Sequence, residues 1–471
     1  MSQLAVTITM AGGALLALAL LVRAIRRARA AGDLDASTAL TLGMGWLISL
    51  PLAVVASTGS LTRQTDAFGQ LVAIFPGWYA AADSLGLVVI AALAVVLLLR
   101  QLSSVHAPVH AAGLFAISLW VVTHLASGLH GGRVISPRGV VLLACLMAAT
   151  VLPRGRGACL GAGIFGVTLA IGSGVLAIFR HDAAFVIPCR DACGGLGFSG
   201  LLPNEDLLGI VLSASIPFVY LGFRGRARDW LVLYLAGMAI ATGSQTATVA
   251  AGVTVVALFI VRPRLDADRV TPGQSAIVAL VLVCAVVASV YFPLHHWDPS
   301  ALTDRPLLWR VAARYIHESP WVGYGQDKWP SLYESNEIFQ AAQRSAHNQW
   351  MDVLFAAGGL GAALLVSVVV ATLWSAGFAR PGLALAVATI TIIGSTEGAW
   401  AVGTFDVLSF SLVALILTGA TRDTETPIRV SGRAATVQRH RPRHPVRRRQ
   451  SQRHRTTVAA CVGRGICSPA A

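Results

Sequence analysis

The stretch Ser275-Ala276-Ile277-Val278-Ala279-Leu280-Val281-Leu282-Val283-Cys284-Ala285-Val286-Val287-Ala288-Ser289-Val290-Tyr291-Phe292 runs eighteen residues without a charged side chain. At about 1.5 Å of rise per residue it covers most of a hydrocarbon core about 30 Å thick. Lipid offers an open backbone no hydrogen-bond partner, so such a run is expected to be a transmembrane helix. Leu383 to Gly394 with its flanks reads the same way. The composition agrees, with 55% of the 471 residues hydrophobic and 12% charged, against roughly a quarter charged in soluble domains. A soluble fold does not fit that balance.

Working outward from these runs, the arginines serve as a ruler for topology. Residues 3 to 22 resemble a signal peptide, yet Arg23, Arg26, Arg27 and Arg29 follow the apolar run instead of preceding it. That order predicts a retained helix with its N-terminus outside. Arg100, Arg154 and Arg156, the group Arg224, Arg226 and Arg228, Arg262 and Arg264, Arg380 and the basic tail then follow odd-numbered helices and mark the cytoplasmic face. The reading is an all-α polytopic transmembrane bundle of 12 to 13 helices over residues 1–420. The helices are expected at roughly 3–22, 36–57, 84–100, 110–129, 139–153, 158–179, 207–223, 229–243, 246–262, 275–292, 348–374, 383–400 and 402–420. The count is twelve if the first run is peripheral or if 139–153 is too short to span alone. No internal repeat marks a transporter of two related halves.

The formal charge of +14 comes largely from arginine, since Lys328 is the one lysine, and much of it lies in residues 421–471. This segment, with Arg439-His440-Arg441-Pro442-Arg443 and onward to Arg455, reads as a disordered cytoplasmic tail. Its expected partner is the anionic membrane lipid surface, not nucleic acid. Among seven cysteines, Cys189 and Cys193 alone lie close together outside an apolar run. Two thiols fall short of a structural zinc site, and they form either a small disulfide or an incidental pair.

Two outer loops are long, 180–206 and 293–347, and the second concentrates the polar chemistry. Asp304 to Tyr315 reads as a short amphipathic helix, capped by Asp304, with Pro306 in its first turn. Its stripe of Leu308, Val311, Ala312 and Tyr315 is expected to rest on the membrane surface. Arg305 shares a face with Trp309, and Arg310 shares another with Arg314. The loop closes on Arg344-Ser345-Ala346-His347-Asn348-Gln349-Trp350. His347 stands at helical spacing from Met351, Leu354, Gly358 and Gly361, which places it at the outer rim of a glycine seam on one helix face. A lone histidine at a membrane boundary is commonly an interfacial residue. Here arginines surround it, and planar guanidinium groups are the preferred clamp for phosphate.

His347-Asn348, nine residues, Gly358, two residues and Gly361 together resemble the signature of the O-antigen ligase and polymerase superfamily of membrane glycosyltransferases. Arg305 with Trp309, then Pro320-Trp321-Val322-Gly323-Tyr324-Gly325, is similar to that family's arginine, aromatic and glycine run, and Pro203-Asn204 to its proline-asparagine step. The resemblance covers roughly residues 195 to 420. One departure is Gly243-Ser244-Gln245-Thr246, where the family often has an arginine after the serine; Gln245 would weaken one anionic contact.

The resemblance implies a GT-C-like bundle and an inverting, metal-independent transfer with no cofactor. The implied donor is a glycan on a polyprenyl diphosphate, and the acceptor is a hydroxyl of a second glycan or glycolipid outside the cytoplasmic (inner) membrane. Arg305 would stabilise the leaving diphosphate, followed by Arg344 or Arg310. His347 would either deprotonate the acceptor hydroxyl or hydrogen-bond the diphosphate. Asn348, Trp309, Asn204 and Gln245 complete the candidate substrate contacts, with Glu205, Asp327 and Asp352 weaker. A polymerase of repeat units is the alternative within the class. A lipid-linked glycan transporter is the alternative outside it, drawing on the intramembrane acids Asp83, Glu397 and Asp406.

Overall fold

The computed structural model describes residues 3–65, 71–104, 107–186, 197–265, 271–298, 302, 305–335, 337–338, 345–376 and 381–418. The chain divides into Met1–Thr421 and Arg422–Ala471, and every described residue belongs to the first unit. The basic tail, Cys189, Cys193, Asp304 and Arg344 lie outside the described residues.

Helices build almost all of it. In chain order they are α1 (Gln3–Ala30), α2 (Ala36–Thr58), α3 (Trp78–Leu102), α4 (Ala111–Leu129), α5 (Pro137–Val151), α6 (Gly157–Phe179), the single turn α7 (His181–Ala184), α8 (Glu205–Gly222), α9 (Arg226–Ala241) and α10 (Gln245–Leu265). Then come α11 (Pro272–Leu294), α12 (Arg305–Glu318), α13 (Lys328–Glu334), α14 (Gln349–Ala376), α15 (Pro381–Gly394) and α16 (Ser409–Leu417). Two small antiparallel pairs, β1 (Thr62–Thr65) with β2 (Leu71–Ile74) and β3 (Phe185–Val186) with β4 (Gly197–Phe198), tie down loops. Among the described residues seven helices, α2, α3, α4, α6, α8, α11 and α14, are long and apolar enough to cross a membrane.

The all-α polytopic bundle is organised around α6 and α8, whose positions are buried along most of their lengths. Phe165, Phe218 and Phe410 pack edge to face at the centre, with ring centroids 5.0 and 6.3 Å apart. Small residues let backbones approach in lipid, where the hydrophobic effect does not drive helices together. A side chain at Gly163 would stand 3.2 Å from the Val219 backbone, and one at Gly222 would stand 2.8 Å from that of Cys159. Hydroxyls bond across the helices, as Thr254 does with Thr389 (2.6 Å) and Ser213 with Ala247 O (3.0 Å). The outer faces of α3 and α11 expose Leu85, Val88, Leu99, Leu280 and Val287, as lipid-facing helices should.

Three expectations need correction. The stripe of α12 does not face the membrane surface: Leu308, Trp309 and Ala312 are buried with Trp329, Leu332 and Phe355 in a separate core. Trp329 stacks on Phe355 at 4.4 Å, so the loop folds as a small cap with its own interior. Next, the expected helices 383–400 and 402–420 are shorter, ending at Gly394 and starting at Ser409. Ser395, Thr396, Glu397 and Gly398, followed by Gly403 at φ 82°, interrupt the apolar run and leave an irregular connection. Finally, α14 begins after His347 and breaks at Gly358, whose backbone is non-helical (φ 61°, ψ −163°). His347 and the two glycines therefore do not share one helix face.

The break in α14 explains the glycine-rich run of the loop. An interrupted helix at membrane depth frees backbone groups that lipid cannot satisfy. Here Tyr324 and Gly325 donate to the carbonyls of Phe355 and Ala356 (2.8 and 2.9 Å), while Gly359 and Leu360 donate to Pro320 and Trp321 (2.7 and 3.2 Å). Gly323 has φ 72°, and a side chain there would meet the Ala356, Ala357 and Gly358 backbone at 2.6 to 2.7 Å. The loop 320–325 is thus a backbone staple laid on the kink.

Candidate active site

Arg305 opens α12 and lies on the same face as Trp309. The indole Nε1 of buried Trp309 donates to Ala346 O (3.0 Å), so α12 holds the segment that leads into α14. Asn348 then starts that helix. Its Oδ1 accepts from the Trp350 and Met351 amides (both 3.1 Å), the work of an N-cap. Its Nδ2 donates to Ser289 O (3.0 Å) on α11 and Ser395 O (2.9 Å) beyond α15. Gln349 clasps the same connection through Trp400 N (2.7 Å) and Trp400 O (3.2 Å). Asp352, one turn in, accepts from the Ala346 amide at 2.6 Å.

Between these anchors His347 adopts φ 53°, a left-handed conformation that a residue with a Cβ seldom takes. Such strain persists only where surrounding contacts over-determine it, and it concentrates at functional sites. The imidazole Nδ1 lies 2.7 Å from Glu397 Oε2. The other oxygen of Glu397 accepts from Arg305 Nη2. One carboxylate therefore joins the histidine and the arginine, with Glu397 11%, Arg305 17% and His347 29% exposed at their side chains. Burial pulls the imidazole down, but the charge and hydrogen bond of Glu397 outweigh it, and His347 titrates above the ordinary histidine range. A carboxylate can only accept, so the tautomer it selects carries its proton on Nδ1 and leaves Nε2 as the basic atom.

The remaining candidates sort by position. Gln245 is exposed at the start of α10, and its neighbour Thr246 bonds Thr396 (2.6 Å), one residue from Glu397. Asn204 caps α8 through the Leu207 amide (2.7 Å), at the end of the bundle where Gly209 packs against Thr242 and Ala247. Arg310 is exposed, and its Nε reaches Pro306 O (3.4 Å). Arg314 pairs with Glu337 (3.5 Å), and Asp327 accepts from the Arg133 amide (2.8 Å); both serve the cap. Tyr324, in the staple, is pushed up to about 12 by burial and by its hydrogen bond to Glu318.

The sequence alone sets Glu397 among the acids that favour transport, whereas the fold sets it beside His347 and Arg305. The available signal was an acid within an apolar run beside Gly398, a position that calls for a named partner. The other two acids of that reading have structural partners. Asp83 pairs with Arg138 (2.7 Å), and Asp406 accepts from the Ser409 (2.8 Å) and Ala401 (3.2 Å) amides.

The model of a family described as O-antigen ligase matches residues 230–366, a span holding Gln245, Arg305, Trp309, the glycine staple, His347 and Gly358. This segment is similar to the O-antigen ligase family. An O-antigen ligase of Pseudomonas aeruginosa is 34% identical over 139 residues, which is 28% of this chain and 31% of that protein. The alignment thus spans less than a third of the relative's length. No solved structure matches. The matched segment holds His347 and Arg305, whereas Asn204 and Glu397 fall outside it. With its long apolar helices, the chain is an integral membrane protein.

Proposed function

We propose that this protein transfers a glycan from a polyprenyl diphosphate to a hydroxyl of a second glycan or glycolipid, on the outer side of the cytoplasmic membrane. The observation that carries the reading is the Glu397 carboxylate shared by Arg305 and His347. In the proposed step, His347 Nε2 takes the proton of the acceptor hydroxyl as that oxygen attacks the anomeric carbon. The bond from the anomeric carbon to the diphosphate oxygen breaks, and the configuration inverts. The electron pair leaves on the lipid diphosphate. Negative charge develops there, and the fixed guanidinium of Arg305 stabilises it, with Arg344 and Arg310 as further cations of the same loop. Glu397 orients the ring and balances the imidazolium that forms. Trp309, Asn348 and Asp352 hold the histidine segment, and Gln245 and Asn204 lie toward the substrate side. The arginine clusters on the opposite ends of the helices support the proposed orientation.

The ligase reading is preferred to the polymerase because the matched family and relative are ligases by description. A His347→Ala chain, expressed at the wild-type level, is expected to lose transfer from a polyprenyl-diphosphate donor by about 10² to 10⁴, the range of a positioned general base. Undiminished transfer would overturn the catalytic assignment. A product ladder lengthening with time would instead favour the polymerase.

A further inference from the structure

A second site lies at the other end of the bundle. On α1 the residues Leu16, Leu20, Arg23 and Arg27 follow one another at spacings of four, three and four, and so form one stripe. On α9 Arg226, Trp230, Leu233 and Gly237 do the same. The two helices pack together and run in opposite directions, so both stripes carry their arginines at the same end. Between them is a cavity of about 380 Å³ lined by Leu20, Arg23, Arg27, Arg226, Ala227 and Trp230. Its size falls at the lower end of small-ligand pockets, roughly 300 to 1,000 Å³.

The charge in this cleft is uncompensated among the described residues. Among the described residues no carboxylate lies within ion-pair distance of Arg23, Arg27 or Arg226. The flanking arginines differ, for Arg224 pairs with Asp33 (3.7 Å) and Arg228 with Asp229 (3.3 Å). Arg226 alone of the three is turned to the cavity. The α8–α9 turn stays close, since a side chain at Gly225 would stand 3.8 Å from Arg27 Nη1. Below the arginines both stripes become apolar and exposed, with Leu16 53%, Trp230 56% and Leu233 40% accessible. A tryptophan between charge and apolar surface is the arrangement of a membrane interface.

We propose that this cleft binds the phosphate headgroup of an anionic membrane lipid, with Arg23, Arg27 and Arg226 on the phosphate and an acyl chain along Leu16, Leu20 and Leu233. The apolar track below the cations is what selects a lipid over a free anion. The site belongs to the leaflet opposite the candidate active site. Helix α9 starts at Arg226 and ends at the turn before Gln245, whose neighbour Thr246 touches Thr396 beside Glu397.

The test uses the full chain in detergent micelles with equimolar phosphatidylglycerol and phosphatidylcholine, and native mass spectrometry to count retained lipids. Wild type should retain phosphatidylglycerol preferentially. Arg23→Gln/Arg27→Gln/Arg226→Gln should weaken retention about a hundredfold, each cation at an anionic surface contributing roughly fivefold. Arg26→Gln/Arg29→Gln/Arg100→Gln, which removes equal charge outside the cleft, should retain it. Leu20→Trp keeps all three cations, fills the cleft and should also lose the lipid. The proposal is overturned if the cleft variants retain lipid as wild type does, if the outside variant loses as much, or if millimolar inorganic phosphate displaces the lipid.

Discussion

Two apolar stretches of this protein are interrupted, at Gly358 within α14 and between α15 and α16, and the interruptions are closed by different means. In α14 the break at Gly358 is closed by main chain: four backbone hydrogen bonds to residues 320–325 replace those the helix loses. Between α15 and α16 the break is closed by side chains. Asn348 takes Ser395 O, Gln349 takes both backbone polar groups of Trp400, and Asp406 takes the Ala401 amide. A main-chain closure depends on glycine and a close approach, and leaves no side chain over for chemistry. Closing by side chains requires polar residues from elsewhere, and it draws the α14 start and the Glu397 segment together. The first break is therefore read as structural and the second as the seat of the site.

The largest effect should come from the side-chain break. Glu397→Ala leaves Arg305 buried beside His347 with their shared carboxylate gone, and losing one partner of a buried pair costs about 3 to 5 kcal/mol. Transfer activity should be lost together with thermal stability. Glu397→Gln keeps the shape and isolates the electrostatics. Glu397 raises the imidazole, so in wild type the neutral, basic ring is lost as pH falls through a value above about 6.5, the unperturbed histidine figure. Removing the negative charge lowers that value, and the acid limb of the pH–rate profile should move to lower pH. A limb that stays in place, or moves up, would break the link between Glu397 and His347.

Next in size is the main-chain break. At φ 61° and ψ −163° Gly358 occupies a region essentially restricted to glycine. Gly358→Ala adds strain of about 1 to 3 kcal/mol, and its methyl group meets the Trp321 backbone. Folded yield and melting temperature should fall, while transfer per folded molecule stays near wild type. Equal loss of specific activity would show that the staple serves the chemistry as well, and the contrast between the breaks would fail.

That contrast was only partly legible in the sequence. The long helices follow from hydropathy, which sums over many residues and tolerates local error. The same summing hid the break at Ser395–Gly398, because Ala, Val and Ile on either side keep the average high. Arg305 and His347 were visible through motif spacing. Glu397 is visible as an acid in an apolar run, but it lies 92 and 50 residues from Arg305 and His347. Only the tertiary fold brings them together. The spacing from His347 to Gly358 fits a helix face. A backbone at φ 53° cannot be inferred from spacing, and it places the ring outside the helix.

An effect of similar size is expected where a side chain ties the breaks together. Asn348→Ala removes the cap of α14 and strips the donor from two buried carbonyls. Losing the cap costs about 1 kcal/mol, and an unsatisfied buried polar group costs about 1 to 3 kcal/mol. Melting temperature should drop by an amount similar to that for Gly358→Ala. Activity should fall further than stability does, because Ser395 is two residues from Glu397.

The smallest predicted effect tests whether the cap positions the histidine or only covers it. Trp309→Phe preserves the packing of an aromatic ring in the core of Leu308, Trp329 and Phe355, and removes the one bond from Nε1 to Ala346 O. Such a bond contributes about 1 kcal/mol net. If it acts through stability alone, the melting temperature falls slightly and specific activity is unchanged. Ala346 precedes the strained His347, however, and its amide is held from the other side by Asp352. Releasing one of these two grips lets the left-handed backbone relax toward the extended region. The ring would then leave Glu397 for part of the time. The expected result is a loss of about fivefold in the rate of transfer, the equivalent of about 1 kcal/mol, with donor affinity little changed. A fall in donor affinity with an unchanged rate would place Trp309 against the substrate instead.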